Sequence, residues 1–94
     1  VRESPALDIM RELILRGANL SYHDPYVPRL QLDDTVLESV KLTEETLCRA
    51  DCVVIVTDHS AYDWEWVVQE AGLIVDTRNA LRGVHNPRAK IIKL

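Results

Sequence analysis

Apolar residues recur along this chain in two rhythms. Ala6, Ile9, Met10, Leu13 and Ile14 repeat at helical spacing and form one stripe, while Arg11, Glu12 and Arg16 take the opposite side. Ser4 suits an N-cap, Pro5 suits the first helical position and Gly17 suits the stop, so the pattern predicts a helix from Pro5 to Arg16. A second stripe, Trp64, Val67, Val68 and Ala71, predicts a helix capped by Asp63 and closed by Gly72. A short helix with Leu47 and Ala50 as its core contacts is expected after Thr43, with Glu44 and Glu45 at the positive end of its dipole.

Between the helices lie strand-length apolar runs. Cys52 to Thr57 is β-branched and uninterrupted, which predicts a central strand buried on both faces. Asn19–Tyr22, Leu73–Asp76 and Lys90–Leu94 read as further short strands, and Thr35–Leu42 as holding a short edge strand. Tyr26–Asp34, with Pro28 and two aspartates, reads as surface loop, and Ala80–Pro87 as loop or a helical turn. Helices alternating with buried strands predict an α/β layer fold with a mainly parallel sheet. Ligands of such sheets sit beyond the carboxyl ends of the strands. The residues to examine are therefore His23-Asp24, Asp58-His59-Ser60 and Asp76-Thr77-Arg78-Asn79.

Composition narrows the chemistry. Ninety-four residues are one domain's worth of chain, and 47% hydrophobic with 28% charged residues is ordinary globular composition. Fifteen acidic against eleven basic side chains, a formal charge of −4, argue against a dedicated nucleic-acid binder. They leave room for a small anion held by local arginines. No apolar run approaches the ~20 residues of a membrane span, and the opening residues do not read as a secretion signal. The start at Val1-Arg2-Glu3-Ser4-Pro5, with no methionine, reads as a piece of something longer. Cys48 and Cys52 are expected to be two buried thiols in a reducing cytoplasm, not a disulfide or a metal pair.

Arg78 follows a buried strand, where a guanidinium can give two parallel charge-assisted hydrogen bonds to a phosphate, or can clamp locally onto Asp76. Arg2 precedes a helix start, a region favourable to anions, or is a frayed terminal residue. Asp24 reads as a turn former before Pro25, since no Gly-x-Gly-x-x-Gly precedes it. His59, between Asp58 and Ser60, lacks a nucleophile and reads as a loop histidine bonded to backbone. Trp64 belongs to the core stripe, and Trp66 reads as half exposed, marking a domain interface. No complete catalytic set emerges.

Four segments in one order and spacing carry a resemblance: Val1-Arg2-Glu3-Ser4-Pro5-Ala6, Tyr22-His23-Asp24-Pro25, Val54-Ile55-Val56-Thr57-Asp58-His59 and Val75-Asp76-Thr77-Arg78-Asn79. Together they resemble the C-terminal, nucleotide-sugar-binding domain of the UDP-glucose/GDP-mannose dehydrogenase family, over essentially the whole chain. The resemblance implies that residues 1–94 are a Rossmann-like three-layer domain, the UDP-sugar-binding fragment of a three-domain enzyme. Such enzymes oxidise the C6 alcohol of a nucleotide-linked sugar to a carboxylate in two steps, using two NAD+. It implies that the catalytic cysteine, the NAD-binding domain, the dimerising helices and a first strand lie upstream. Neither Cys48 nor Cys52 then inherits the nucleophile's role, and the 94 residues alone are expected to be inactive. A missing first strand would invite pairing with another copy or a swapped strand. By the resemblance, Arg2 reaches NAD, Arg78 contacts the nucleotide sugar, and Asp24, Pro25 and Asp76 are structural positions. Thr57–Asp63 is similar to microbial members acting on UDP-linked sugars, including UDP-N-acetylglucosamine dehydrogenases. A cytoplasmic enzyme of polysaccharide biosynthesis, a homodimer or larger, is expected. The alternative from another class is a non-enzymatic α/β nucleotide-binding or regulatory module.

Overall fold

The computed structural model of the chain describes residues 5–85 and 87–94, which fall into two compact units, Val1–Lys41 and Leu42–Leu94. In the first unit, helix α1 runs Pro5–Leu15. It ends one residue earlier than the pattern predicts. Gly17, at φ 88°, gives its N–H to Ile14 O at 3.0 Å, and Ala18 N–H reaches Leu13 O at 3.0 Å. These two bonds close the last turn in the manner that only a left-handed residue allows. Ser4, the expected cap, lies outside the described residues.

Asn19–Tyr22 does not form the expected strand. Tyr22 makes one parallel bridge to Ser39, and Pro25 then removes the donor that pairing would need next. The Asp24 carboxylate accepts the Tyr26 N–H at 2.8 Å across Pro25, so the turn-former reading describes its geometry. Arg29–Leu32, expected as loop, is strand β1. It pairs antiparallel with β2, Thr35–Glu38, in the register Leu32↔Thr35. Asp33 makes the two-residue turn possible by taking a φ of 56°.

The second unit begins with α2, Glu44–Arg49, where Thr43 Oγ1 accepts the Thr46 N–H at 3.1 Å and Thr46 Oγ1 accepts the Thr43 N–H at 2.8 Å. Strands β3 (Val53–Ile55), β4 (Leu73–Asp76) and β5 (Lys90–Lys93) form a parallel sheet in the order β3-β4-β5, and α3, Trp64–Glu70, joins the first two. This is an α/β, Rossmann-like arrangement. The core is one cluster that includes Leu47, Ile55, Val67, Val68, Ala71, Ile74 and Leu81, with Trp64 and Trp66 both packed against it.

Three expectations need correction here. The Cys52–Thr57 run forms only the three-residue β3, which pairs with one strand among the described residues and buries Ile55 alone. The middle strand is β4, which has neighbours on both sides. Cys48 and Cys52 are exposed, not buried. Cys48 follows the buried Leu47 by one position, about 100° around the helix, and so leaves the core face. Gly72 follows α3 without the left-handed turn, since Ala71 caps the helix in extended geometry.

Candidate functional site

Asp76, the last residue of β4, is fully buried. Its Oδ1 accepts the backbone N–H groups of Arg78 at 3.0 Å and Ala80 at 3.1 Å, and its Oδ2 accepts that of Leu81 at 3.0 Å. Burial by itself pushes this carboxyl up. The three N–H groups, aided by Lys93 opposite it in the register, outweigh burial and hold it below the ordinary carboxylate range. A buried anion thus gathers the turn that follows it. Thr77 fastens the same turn to β3, both its Oγ1 (2.6 Å) and its N–H (3.1 Å) bonding Ile55 O. Asn79 takes a φ of 55°, a conformation that asparagine tolerates better than most residues.

Arg78 stands exposed on this turn. The clamp between its guanidinium and Asp76, one of the two readings open from sequence, does not form. The Asp76 oxygens are occupied by backbone donors, and the contact from Arg78 is its own N–H. Among the described residues the Arg78 guanidinium has no ion pair, so its five donors remain available to a ligand. Arg2, the other expected cation, lies outside the described residues.

Beyond β3, Asp58 meets Arg82 at 2.7 Å, and the same Nη1 donates to Asn79 O at 2.8 Å. The two strand-end loops are thereby tied together above the sheet. Asp58, Tyr62, Trp64, Ala80 and Arg82 help to line an open cleft of about 360 Å³. One wall is the ring pair Tyr62–Trp64, with centroids 4.9 Å apart. His59 is half-buried, its ring 6.3 Å from that of Tyr62. Asp63 caps α3 by accepting the Trp66 N–H at 3.2 Å, as expected.

Sequence reasoning missed Arg82. Its partner is twenty-four positions away, and no periodicity links two loop residues. A faint signal was present, since Arg82 lies one helical turn past Arg78 and just before Gly83. Among the described residues no group of three or more His, Cys, Asp or Glu side chains could hold a metal ion. No helix among them is long and apolar enough to cross a membrane. They do not fit a dinucleotide site either. The glycines Gly17, Gly72 and Gly83 are far apart and form no phosphate-cradling loop.

The model of the UDP-glucose/GDP-mannose dehydrogenase family, UDP binding domain, matches residues 1–83. Two proteins named UDP-N-acetyl-D-mannosamine dehydrogenase, from Methanococcus maripaludis strains C7 and S2, are 31% and 30% identical over 61 residues. The matched stretch is 65% of this chain and 13% of each relative. No solved structure matches.

Proposed function

We propose a function from one premise: the chain belongs to the UDP-glucose/GDP-mannose dehydrogenase family, matching its UDP binding domain. On this reading residues 1–94 are the C-terminal nucleotide-sugar-binding domain of a larger NAD-dependent enzyme. That enzyme oxidises the C6 alcohol of a UDP-linked sugar to a carboxylate. NAD+, held mainly by other parts of the enzyme, accepts the hydrides, and the cysteine nucleophile is also supplied from there. Arg2 is the residue of this chain assigned to the NAD side. The names of the Methanococcus relatives favour a UDP-linked N-acetylamino sugar over a GDP-linked one. A cytoplasmic setting suits the two exposed free thiols, which stay reduced there, and the whole enzyme is a homodimer or larger.

The observation that carries the reading is Arg78: an exposed guanidinium at the carboxyl end of the middle strand, on a turn that a buried carboxylate holds in place. Its task is to bind. The planar fork gives two parallel N–H bonds to phosphate oxygens, and the prebuilt turn lowers the ordering cost on closure. Charge-assisted bonds of this kind contribute about 1.5–3 kcal/mol each.

In the full-length enzyme, Arg78→Ala is expected to raise KM for the UDP-sugar by roughly ten- to a hundredfold. NADH formation followed at 340 nm measures it. The 94-residue chain alone is expected to bind UDP weakly and to produce no NADH. An unchanged KM and kcat in Arg78→Ala, or turnover by the chain alone, would overturn the proposal.

A further inference from the structure

The turn that bears Arg78 is restrained at two levels. Beneath it, Asp76 holds three backbone N–H groups and Thr77 is bonded to Ile55. Above it, one nitrogen of Arg82 bridges Asp58 of the neighbouring loop and the carbonyl of Asn79, the residue after Arg78. Asn79 is also the left-handed residue of the turn, at φ 55°. A non-glycine residue in left-handed geometry costs conformational energy that surrounding contacts must offset, and Arg82 supplies such a contact at the Asn79 carbonyl. We infer that Arg82 is a positioning residue: through Asp58 and Asn79 O it fixes the turn from which Arg78 reaches the nucleotide sugar. It acts by geometry and need not touch the ligand itself. This rests on the role proposed for Arg78.

An exposed ion pair alone contributes little to stability, and Arg82 is 61% exposed. The expected signature is therefore in binding and not in folding. Two measurements on the 94-residue chain, with UDP as the probe, separate the possibilities. In the first, amide hydrogen exchange of residues 77–82 is compared between the parent and Arg82→Gln. Exchange in this turn should speed up roughly three- to tenfold while Ile74 in β4 stays protected. Arg82→Lys, which keeps a cationic donor for Asp58 and Asn79 O, should retain part of the protection, which a general loss of folding would not allow.

In the second, UDP is titrated into Arg82→Gln, Arg78→Ala and the double variant. Arg82→Gln is expected to weaken binding roughly three- to tenfold. Because it works through Arg78, the double variant should bind no worse than Arg78→Ala alone. Additive losses would mean that Arg82 acts on the ligand directly, and would overturn the inference. Unchanged exchange in Arg82→Gln would overturn it whatever the titration gives. If Arg78→Ala binds UDP like the parent while the turn of Arg82→Gln is deprotected, the functional reading fails and the restraint of the turn stands. Full-length enzyme adds a further split: Arg82→Gln should raise KM for the UDP-sugar with kcat kept.

Discussion

The two units of this chain are held together in different ways. Val1–Lys41 buries Met10 and Leu32, and joins its hairpin with exposed pairs such as Arg29–Glu38 at 2.9 Å. Leu42–Leu94 has a contiguous apolar cluster under a parallel sheet, with a buried carboxylate at the end of its middle strand. The first kind of construction tolerates change, because water already competes for its contacts. The second fixes positions closely, because every buried donor and acceptor must be matched. Arg78, the cation we propose to bind the diphosphate, stands on the second kind. A formal charge of −4 is compatible with the anion binding we propose for this turn. The field that matters is that of one turn.

The sharpest way to break this contrast is Asp76→Ala. It would leave three buried N–H groups without an acceptor, and we expect a loss of about 3–5 kcal/mol in the second unit. Urea unfolding followed by tryptophan fluorescence reads that unit, because Trp64 and Trp66 both lie in it. Asp76→Asn keeps one carbonyl acceptor and should lose less. Acid should imitate the larger change. The folded carboxyl lies below its ordinary value of 3.8, so between the two values the unfolded chain binds more protons and stability rises with pH. The contribution is complete above about pH 4 and is lost as pH falls through the folded value. Asp76→Ala should flatten that acid limb. A limb of unchanged slope would show that the turn does not depend on this carboxylate.

A smaller effect sharpens the same comparison. Ile74→Ala, in the middle of the sheet and fully buried, should cost about 2–5 kcal/mol. Val36→Ala, in the hairpin and 55% exposed, should stay within about 0.5 kcal/mol. Similar losses at both sites would mean that the hairpin's outer face is covered in solution.

Much of the second unit could be read from residue order. Helix α3 follows from strong periodicity, its Asp63 cap from residue type and β4 from an apolar run, while β5 rests on Ile91 and Ile92 alone. The hairpin did not yield to the same reasoning. Leu30 and Leu32 do alternate with Arg29 and Gln31, but Pro28 and the two aspartates masked the signal, and Asp-Asp is not the usual two-residue turn. The burial of β3 was overestimated because an apolar run reports how a strand is composed, not how many neighbours it has. Both cysteines were misjudged because their type is usually buried, whereas each sits just off an interior position. In the site, Arg78 was visible from its place after a strand. Arg82 and its bond to Asp58 needed the fold, since only the sheet brings those loops together.

The finest test uses a feature that the units share. Among the described residues each contains one non-glycine residue in left-handed geometry, Asp33 at φ 56° and Asn79 at φ 55°. A β-branched side chain is strained there, so Asp33→Val and Asn79→Val should each cost about 1–2 kcal/mol. Glycine removes the strain but loosens the unfolded chain, and should leave stability within about 0.5 kcal/mol at either site. What differs is the consequence for binding. At the hairpin tip the turn supports only its own two strands, and UDP titration should read Asp33→Gly as the parent. At position 79 the carbonyl is a partner of Arg82, and the turn carries Arg78. Asn79→Gly should therefore weaken UDP binding about twofold with stability kept, since it frees the backbone at the point Arg82 restrains. Equal titrations for the two glycine variants would mean that the rigidity of the second unit adds nothing to recognition.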